Sequence, residues 1–584
     1  MKINSIPTQP DNPTNVQRYE LTKYGLKNVN RLEDFNNVVK LLSPPSDITS
    51  IASPGSFKGV KVGIIGGGLA GLSSAFELRK LGFDTTIFEA SEDRVGGRVY
   101  TYYFDKDKKL YGELGAMRIP VSHETTWHYI NLFNLNTRPF VQTNKNAFLY
   151  VRDIRVRNDP GGKNAMEKIY PQFKLNPWER RTPWQELIQY GVGTPLASIN
   201  PSLRKEILEV KMKYSPPINY WTYYNTRQVL ELMKLSQGAL NLIGSISPFI
   251  GSFYYNSYSE ILQEEYPVNF SFLYEIKGGM VNLPLAFYKS LISKKPNEYE
   301  KISNNDLGKV TWKAGNLVTT ISRLETGNKV VLNYKNKNSK EYLQETFDYV
   351  ICTIPFSSLR NVNINPLFSP MKMQSIKEVN YTNSQKTFFL CNKRFWEEQG
   401  IIGGGSYTDL PITSIWYPSD HAKCIPDDNR KSCFGESTFD NWSIRRNCSP
   451  DDPGVLLASY NFSQDAVRLG NLSERLHFKE VKEQVEAVHG LEKCYLDSVV
   501  KDYKTIQWYE EENFYGAFAY FFPEQKRIFS YAMVKPEYNN RVFFAGEHTS
   551  ATHAWQQGAL NSGMKAANSL VEYCKIHKSP KGSA

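Results

Sequence analysis

Short apolar runs, glycine turns and stretches of helical spacing follow one another along the chain in an order that predicts its elements. Val60, Val62, Ile64 and Ile65 form a compact run suited to a buried parallel strand. Leu69, Leu72, Ala75 and Leu78 then recur at helical intervals up to Gly82, and a second apolar run at 85–88 predicts the next strand. Helices are expected at 31–42, stopped by Pro44 and Pro45, and at 124–135. Between 160 and 265 the pattern changes to long helical segments, 201–214 and 226–242 among them, broken by Pro and Gly clusters. Strand-like runs resume at 317–321, 329–334 and 349–354, and again at 454–460 and 542–545. A closing helix over 557–573 carries Ala559, Gly563, Ala566 and Ala567, small residues that permit close packing.

The first strand runs into Gly66, Gly68 and Gly71 in G-x-G-x-x-G spacing, and the second ends at Glu89. Each part has a physical task. Gly66 permits the tight turn, Gly68 lets a pyrophosphate approach the backbone, and Gly71 lets the helix lie close to the strand. The helix N-terminus offers free N–H groups and partial positive charge to phosphates. Glu89 is placed to accept from both hydroxyls of an adenosine ribose, and its charge disfavours a 2′-phosphate. Strand, glycines, helix, strand and acid in this order predict a dinucleotide site.

Composition narrows the rest. A chain of 584 residues is too long for one simple core and implies two or three domains. The formal charge of +11 is spread without a dense Lys/Arg block, so it favours solubility over attraction of anionic substrates, and no nucleic-acid partner is expected. Seven cysteines without a C-x-x-C pair give neither a zinc site nor a disulfide framework. His548 and His553 lack a third ligand at sensible spacing, so no metal is expected. The polar N-terminus lacks the core of a signal peptide and no run reaches membrane-spanning length. A cytoplasmic location is therefore expected, with secretion left open and no membrane partner.

After Glu89 the chain reads Ala90 and then Arg94-Val-Gly-Gly97-Arg98, a second glycine pair ending in arginine. Together with the first motif this resembles the FAD-binding signature of the monoamine oxidase and L-amino-acid oxidase superfamily. The resemblance continues through 111–120, where Gly115-Ala116-Met117-Arg118 stands, the Gly-Gly-Met turn at 278–280, the strands of 381–418, and Gly546-Glu547 before the last helix. It implies FAD held by Gly66, Gly68, Leu69, Ala70, Gly71, Glu89, Ala90, Gly97, Arg98, Gly115, Ala116, Met117, Arg118, Val318, Gly546, Glu547 and Trp555. The fold it implies is α/β, α+β multidomain. A Rossmann-like FAD-binding domain (56–120, 271–365 and 520–578) is joined to a mixed-sheet substrate domain (1–55, 121–159 and 366–519) and a helical domain (160–270). A polar stretch at 419–452 is longer than the family leads one to expect and is read as a surface insertion.

Arg118 separates members of the superfamily. An unpaired buried guanidinium is costly, and an amino acid supplies the carboxylate that an arginine grips through two parallel hydrogen bonds. L-amino-acid oxidases carry an arginine in a matching G-x-M-R motif. The other possibility is a structural arginine paired with Glu113 or Glu124. By the same resemblance Tyr460 shares the carboxylate and Ala554 offers its carbonyl to the amine. Trp508, Phe518 and Trp555 line the substrate side, and Lys386 stands near flavin N5. The activity implied is oxidative deamination of an L-amino acid, with molecular oxygen as acceptor and hydrogen peroxide, ammonia and a 2-oxo acid as products. An amino acid 2-monooxygenase, a flavin amine oxidase and a non-enzymatic flavoprotein scaffold are the alternatives. A homo-oligomer is expected by analogy. The side-chain preference stays open between large apolar groups and a cation selected by an acid from the helical domain.

Overall fold

A five-stranded parallel sheet carries the first glycine turn. The computed structural model describes residues 6–324, 328–337, 341–425 and 442–577. The strands are β1 (Lys61–Ile65), β2 (Asp84–Phe88), β3 (Val310–Lys313), β4 (Tyr349–Cys352) and β5 (Val542–Phe544), in the order β3-β2-β1-β4-β5. Ile64 on the central strand stands opposite Ile87 on one side and Ile351 on the other, and all three are fully buried. That is why the first apolar run shows no alternation: both faces of the sheet are covered.

Three helices matter to the site: α1 (Leu69–Lys80), α2 (Tyr258–Glu265) and α3 (Gln556–His577). Helix α1 lies on one face of the sheet, and α3 lies on α1. Ser73 and Ser74 of α1 donate to the carbonyls of Leu560 and Gly563 at 3.2 and 2.9 Å, contacts that the small residues of α3 make possible. At Gly71 the approach is closer still, since a Cβ there would stand 2.1 Å from the Gly66 carbonyl oxygen. The opposite face of the sheet is covered by an antiparallel meander of Asn316–Arg323, Val330–Asn336 and Tyr342–Phe347, with Asn363–Asn365 at its edge.

A second, seven-stranded mixed sheet includes Val500–Gln507, Ser384–Cys391, Gly454–Phe462 and Ser414–Tyr417 as neighbours. Helices from 163 to 265 pack around their own core, which takes in Val38 and Leu42 of the N-terminal region. That region reaches across the molecule: Arg18 pairs with Glu124, and Gln557 of α3 donates to the Leu42 carbonyl at 2.6 Å.

Several boundaries differ from expectation, each for a local reason. The segment 201–214 is helical only through Leu208, as an α turn followed by a 3₁₀ turn. The segment 226–242 is two helices, because Ser236 caps a new one at Gln237–Ile246 by accepting from the Ala239 N–H. An additional helix, Asn15–Asn28, opens with a Thr14–Gln17 capping box. Its apolar stripe is weak because a buried arginine, Arg18, occupies the inner face. The stretch 419–452 is not a simple surface insertion. Ser419 accepts from the Val141 N–H at 3.0 Å, Asp420 pairs with Arg394 at 2.7 Å, and Ala422–Cys424 forms a hairpin with Trp442–Ile444. Its middle, with Cys433, lies outside the described residues.

Candidate active site

A cavity of about 300 Å³ runs from the glycine turn at 66–68, past Arg98 and Glu547, to Arg118, Lys386 and Trp555. Every residue expected at the cofactor lines it except Gly71, which stands behind the turn and acts through packing. A Cβ on Gly68 would meet no protein atom within 4 Å and would project into open space, so this glycine leaves room for a ligand. Gly68 also caps α1 without a side-chain hydrogen bond, which leaves the first-turn N–H groups available to an anion.

Glu89 is fixed by two backbone donors, Gly67 N–H to Oε2 and Ser91 N–H to Oε1, each at 2.8 Å. Burial raises its pKa, with those bonds opposing. Its oxygens retain acceptor capacity toward the cavity, as ribose hydroxyls require. Asn316 and Val318 continue the same wall. Midway, Arg98 donates to Glu547 at 2.8 Å and to the Ala517 carbonyl at 3.0 Å. Glu547 accepts in addition from the N–H groups of Ala519 and Ala554, both at 3.1 Å. These groups fit an adenosine diphosphate at one end and a flavin ring beyond the middle.

At the far end Arg118 is held by Gln142, whose Oε1 accepts from Nη1 at 3.0 Å. Its guanidinium carbon lies 5.0 Å from the centre of the Trp416 ring and 5.2 Å from that of Phe270. Neither suggested carboxylate pairs with it. Glu124 is taken by Arg18, and Glu113 accepts from the Thr101 hydroxyl and the Met280 N–H, both at 2.8 Å. Burial lowers the Arg118 pKa, with the nearby Tyr460, Tyr407 and Glu264 opposing.

Lys386 and Tyr460 are cross-strand partners in the mixed sheet. Lys386 donates to the carbonyls of Glu113 and Gly115 at 2.9 and 2.6 Å. Burial brings its pKa down to about 7, against the pull of Glu113. The Tyr460 hydroxyl is pushed up to about 12 by burial and so stays protonated. Trp508, Phe518, Ala554 and Trp555 complete this end as expected. Ala554 has φ of 65°, a left-handed conformation that glycine adopts more readily.

His553 is paired with Glu260 at 2.8 Å, and His548 packs against Phe356 with ring centres 4.7 Å apart. Among the described residues no three His, Cys, Asp or Glu side chains cluster as metal ligands.

Further lining residues were missed. Ser384, Phe462 and Tyr520 stand two positions from Lys386, Tyr460 and Phe518, so strand alternation carried a signal for them. Phe249, Phe270 and Glu264 come from the helical region and its exit, where no local pattern marks them. Glu264 accepts from Trp555 Nε1 through both oxygens, at 2.9 and 3.0 Å.

The chain is similar to known proteins. The family described as flavin containing amine oxidoreductase matches residues 69–571. An L-amino-acid oxidase of Bothrops atrox is 30% identical over 89% of this chain and 90% of its own length. One from Vipera ammodytes ammodytes is 30% identical over 87% of this chain and 92% of its own. Among solved structures, putrescine oxidase bound to putrescine superposes with a TM-score of 0.64 at 15% identity, covering 88% of this chain and 99% of that one. Cyclohexylamine oxidase from Brevibacterium oxydans gives 0.61 at 15% identity, over 88% and 99%. The chain belongs to the family of flavin-containing amine oxidoreductases. It is an FAD-dependent oxidoreductase with the α/β multidomain fold of that family.

Proposed function

We propose that the protein is an FAD-dependent L-amino-acid oxidase, converting an L-amino acid and oxygen to a 2-oxo acid, ammonia and hydrogen peroxide. The observation that carries this reading is Arg118. Among the described residues it forms no ion pair, yet its guanidinium lines the inner end of the cavity between aromatic rings. A buried cation without a counterion is expensive, and a substrate carboxylate supplies one. An amine substrate would not.

The chain's own residues then set the geometry. Arg118 grips the carboxylate by parallel N–H donors and Tyr460 adds its hydroxyl. The Ala554 carbonyl accepts from the amine, which must be uncharged when Cα–H is transferred. Glu547 steadies this turn from behind through the Ala554 N–H. Bound FAD supplies the hydride acceptor and the two electrons that reduce oxygen. Lys386 holds or releases a proton at Nζ near neutral pH while two carbonyls fix its position. The imino acid leaves the site and is hydrolysed by water. Protein packing provides orientation and a water-poor environment, and the electronic work belongs to the cofactor.

The test is a peroxide assay on L-amino acids and on the amines that correspond to them without the carboxylate, with product analysis. The expected result is peroxide, ammonia and 2-oxo acid from amino acids and little from amines. Preference for the amine, or an amide product with release of carbon dioxide, would overturn the reading.

A further inference from the structure

We propose that the cavity selects L-amino acids whose side chain ends in a positive charge, with Glu264 as the counterion and Tyr520 as a second polar partner. This rests on the oxidase reading above and adds the substrate class. Beyond Arg118 the lining is aromatic: Phe249, Phe462 and Phe518 line the cavity with Tyr520. Into this lining α2 inserts one carboxylate.

Glu264 is 6% exposed, and among the described residues every group hydrogen-bonded to its side chain is a neutral donor. Trp555 Nε1 donates to both oxygens, and Asn269 Nδ2 donates to Oε2 at 2.9 Å. Among the described residues no lysine, arginine or histidine pairs with it. Burial pushes its carboxyl up to about 7, the bonds from Asn269 and Trp555 oppose this, the like charge of Glu260 adds to it, and the charge of Arg118 offsets part of it. Glu264 lines the cavity with its hydrogen bonds made only to neutral donors, so its oxygens keep acceptor capacity for a further partner.

Tyr520 gives an independent indication. It is 1% exposed, lines the same cavity, and its hydroxyl has no hydrogen-bond partner among the described residues. A buried hydroxyl left unsatisfied by protein keeps capacity for a polar partner. Carboxylate, hydroxyl and aromatic faces together are the chemistry that recognises an ammonium or guanidinium.

The α-amine is the other cation a substrate brings, and the chemistry of the reaction argues against it as the partner. That amine must lose its charge before Cα–H is transferred, whereas a fixed carboxylate beside it would hold the proton on. A side-chain cation keeps its charge throughout the reaction.

The test uses the FAD-loaded enzyme and two unreactive ligands, 6-aminohexanoate and hexanoate. Both carry a carboxylate for Arg118, neither has an α-amine, and only the first has a terminal cation. Titration followed by the absorbance of bound flavin should show 6-aminohexanoate binding on the order of 10- to 100-fold more tightly. In Glu264→Gln that ratio should fall to within about threefold of unity, as loss of a paired charge requires. Gln with its carbonyl at the Oε2 position still accepts there from Trp555 and Asn269, and only the Trp555 bond to the Oε1 position is lost. The ratio also cancels any general loss of affinity. Tyr520→Phe should lower the ratio by a smaller factor. Turnover gives the parallel comparison of L-lysine with L-norleucine. Equal binding of the two ligands by the parent, or a ratio unchanged in Glu264→Gln, would overturn the proposal. Oxidation of amino acids without preference for lysine would sink the cation subsite and leave the oxidase reading standing. Tight 6-aminohexanoate binding with no amino acid oxidised would do the reverse.

Discussion

The Lys386 ammonium nitrogen lies 4.5 Å from the centre of the Tyr460 ring on the adjacent strand. The pair joins the group expected at the flavin to the group expected at the substrate carboxylate. Its members are locked in register by the sheet rather than by a loop. A cation on the tyrosine face, with two backbone carbonyls behind it, is held in place whether or not it carries its third proton.

Replacement of Lys386 by Met should therefore slow reoxidation of reduced enzyme far more than its reduction. A positioned acid–base group contributes roughly 10²- to 10⁴-fold to a step that uses it. With the Lys386 pKa near 7, reoxidation by the parent should fall as pH rises through that value, because the charged form stabilises negative charge developing on oxygen. The variant should lose this break. Stopped-flow measurement of both half-reactions across pH decides it, and identical profiles in parent and variant would remove Lys386 from the chemistry.

Arg118→Leu leaves a substrate carboxylate facing an apolar wall. Truncating one partner of a buried charge pair costs about 2–5 kcal/mol, so kcat/KM for an amino acid should fall by roughly 30- to 5,000-fold. Arg118→Lys should recover little, since an ammonium cannot reproduce the planar fork. The corresponding amine should be a poor substrate for the parent and lose far less. Equal losses on both substrates would make Arg118 structural.

The glycines of the first motif should separate by phenotype. Gly68→Ala adds a methyl that touches no protein atom, so the apoprotein should unfold near the parent temperature while FAD binds more weakly. Gly71→Ala drives a methyl against the Gly66 carbonyl and should destabilise the apoprotein by about 3 kcal/mol. Thermal unfolding with and without FAD distinguishes them. A stable Gly71→Ala protein would contradict the packing assigned here.

The buried His553–Glu260 pair should make stability depend on pH. Burial alone would lower the histidine pKa, but Glu260 at 2.8 Å outweighs it and the net shift is upward from 6.5. A raised histidine contributes its stabilisation fully below 6.5 and loses it as pH climbs through the higher folded value. The melting temperature should thus fall with rising pH in that window, and Glu260→Gln should flatten the slope. An unchanged slope would mean that other groups set it.

The legibility of the site followed the range of the interactions that build it. Gly66, Gly68, Gly71 and Glu89 are constrained by one strand-turn-helix-strand unit, so spacing alone exposed them. Arg118, Lys386 and Tyr460 sit far apart in sequence, and only the family resemblance brought them together before the structure did. Phe462 and Tyr520 follow by alternation from neighbours already identified. Helix α2 resisted because nothing in the local pattern of Ser259, Glu260, Gln263 and Glu264 signals burial, yet all four are buried. Glu260, Gln263 and Glu264 are accepted inside because each has a partner waiting: His553, Lys526 and Trp555 respectively. Such pairings leave no trace in a local pattern.

Glu260 and Glu264 are one helical turn apart and hold His553 and Trp555, the two residues flanking Ala554. The helical region and the carbonyl assigned to the substrate amine are thus coupled by two side-chain pairings that span almost 300 positions of sequence. Anyone exchanging residues 160–270 between relatives to alter substrate range would have to move positions 553 and 555 with them. A graft made without those two would leave two buried acids facing the wrong side chains, and would be expected to fail in assembly before its selectivity could be measured.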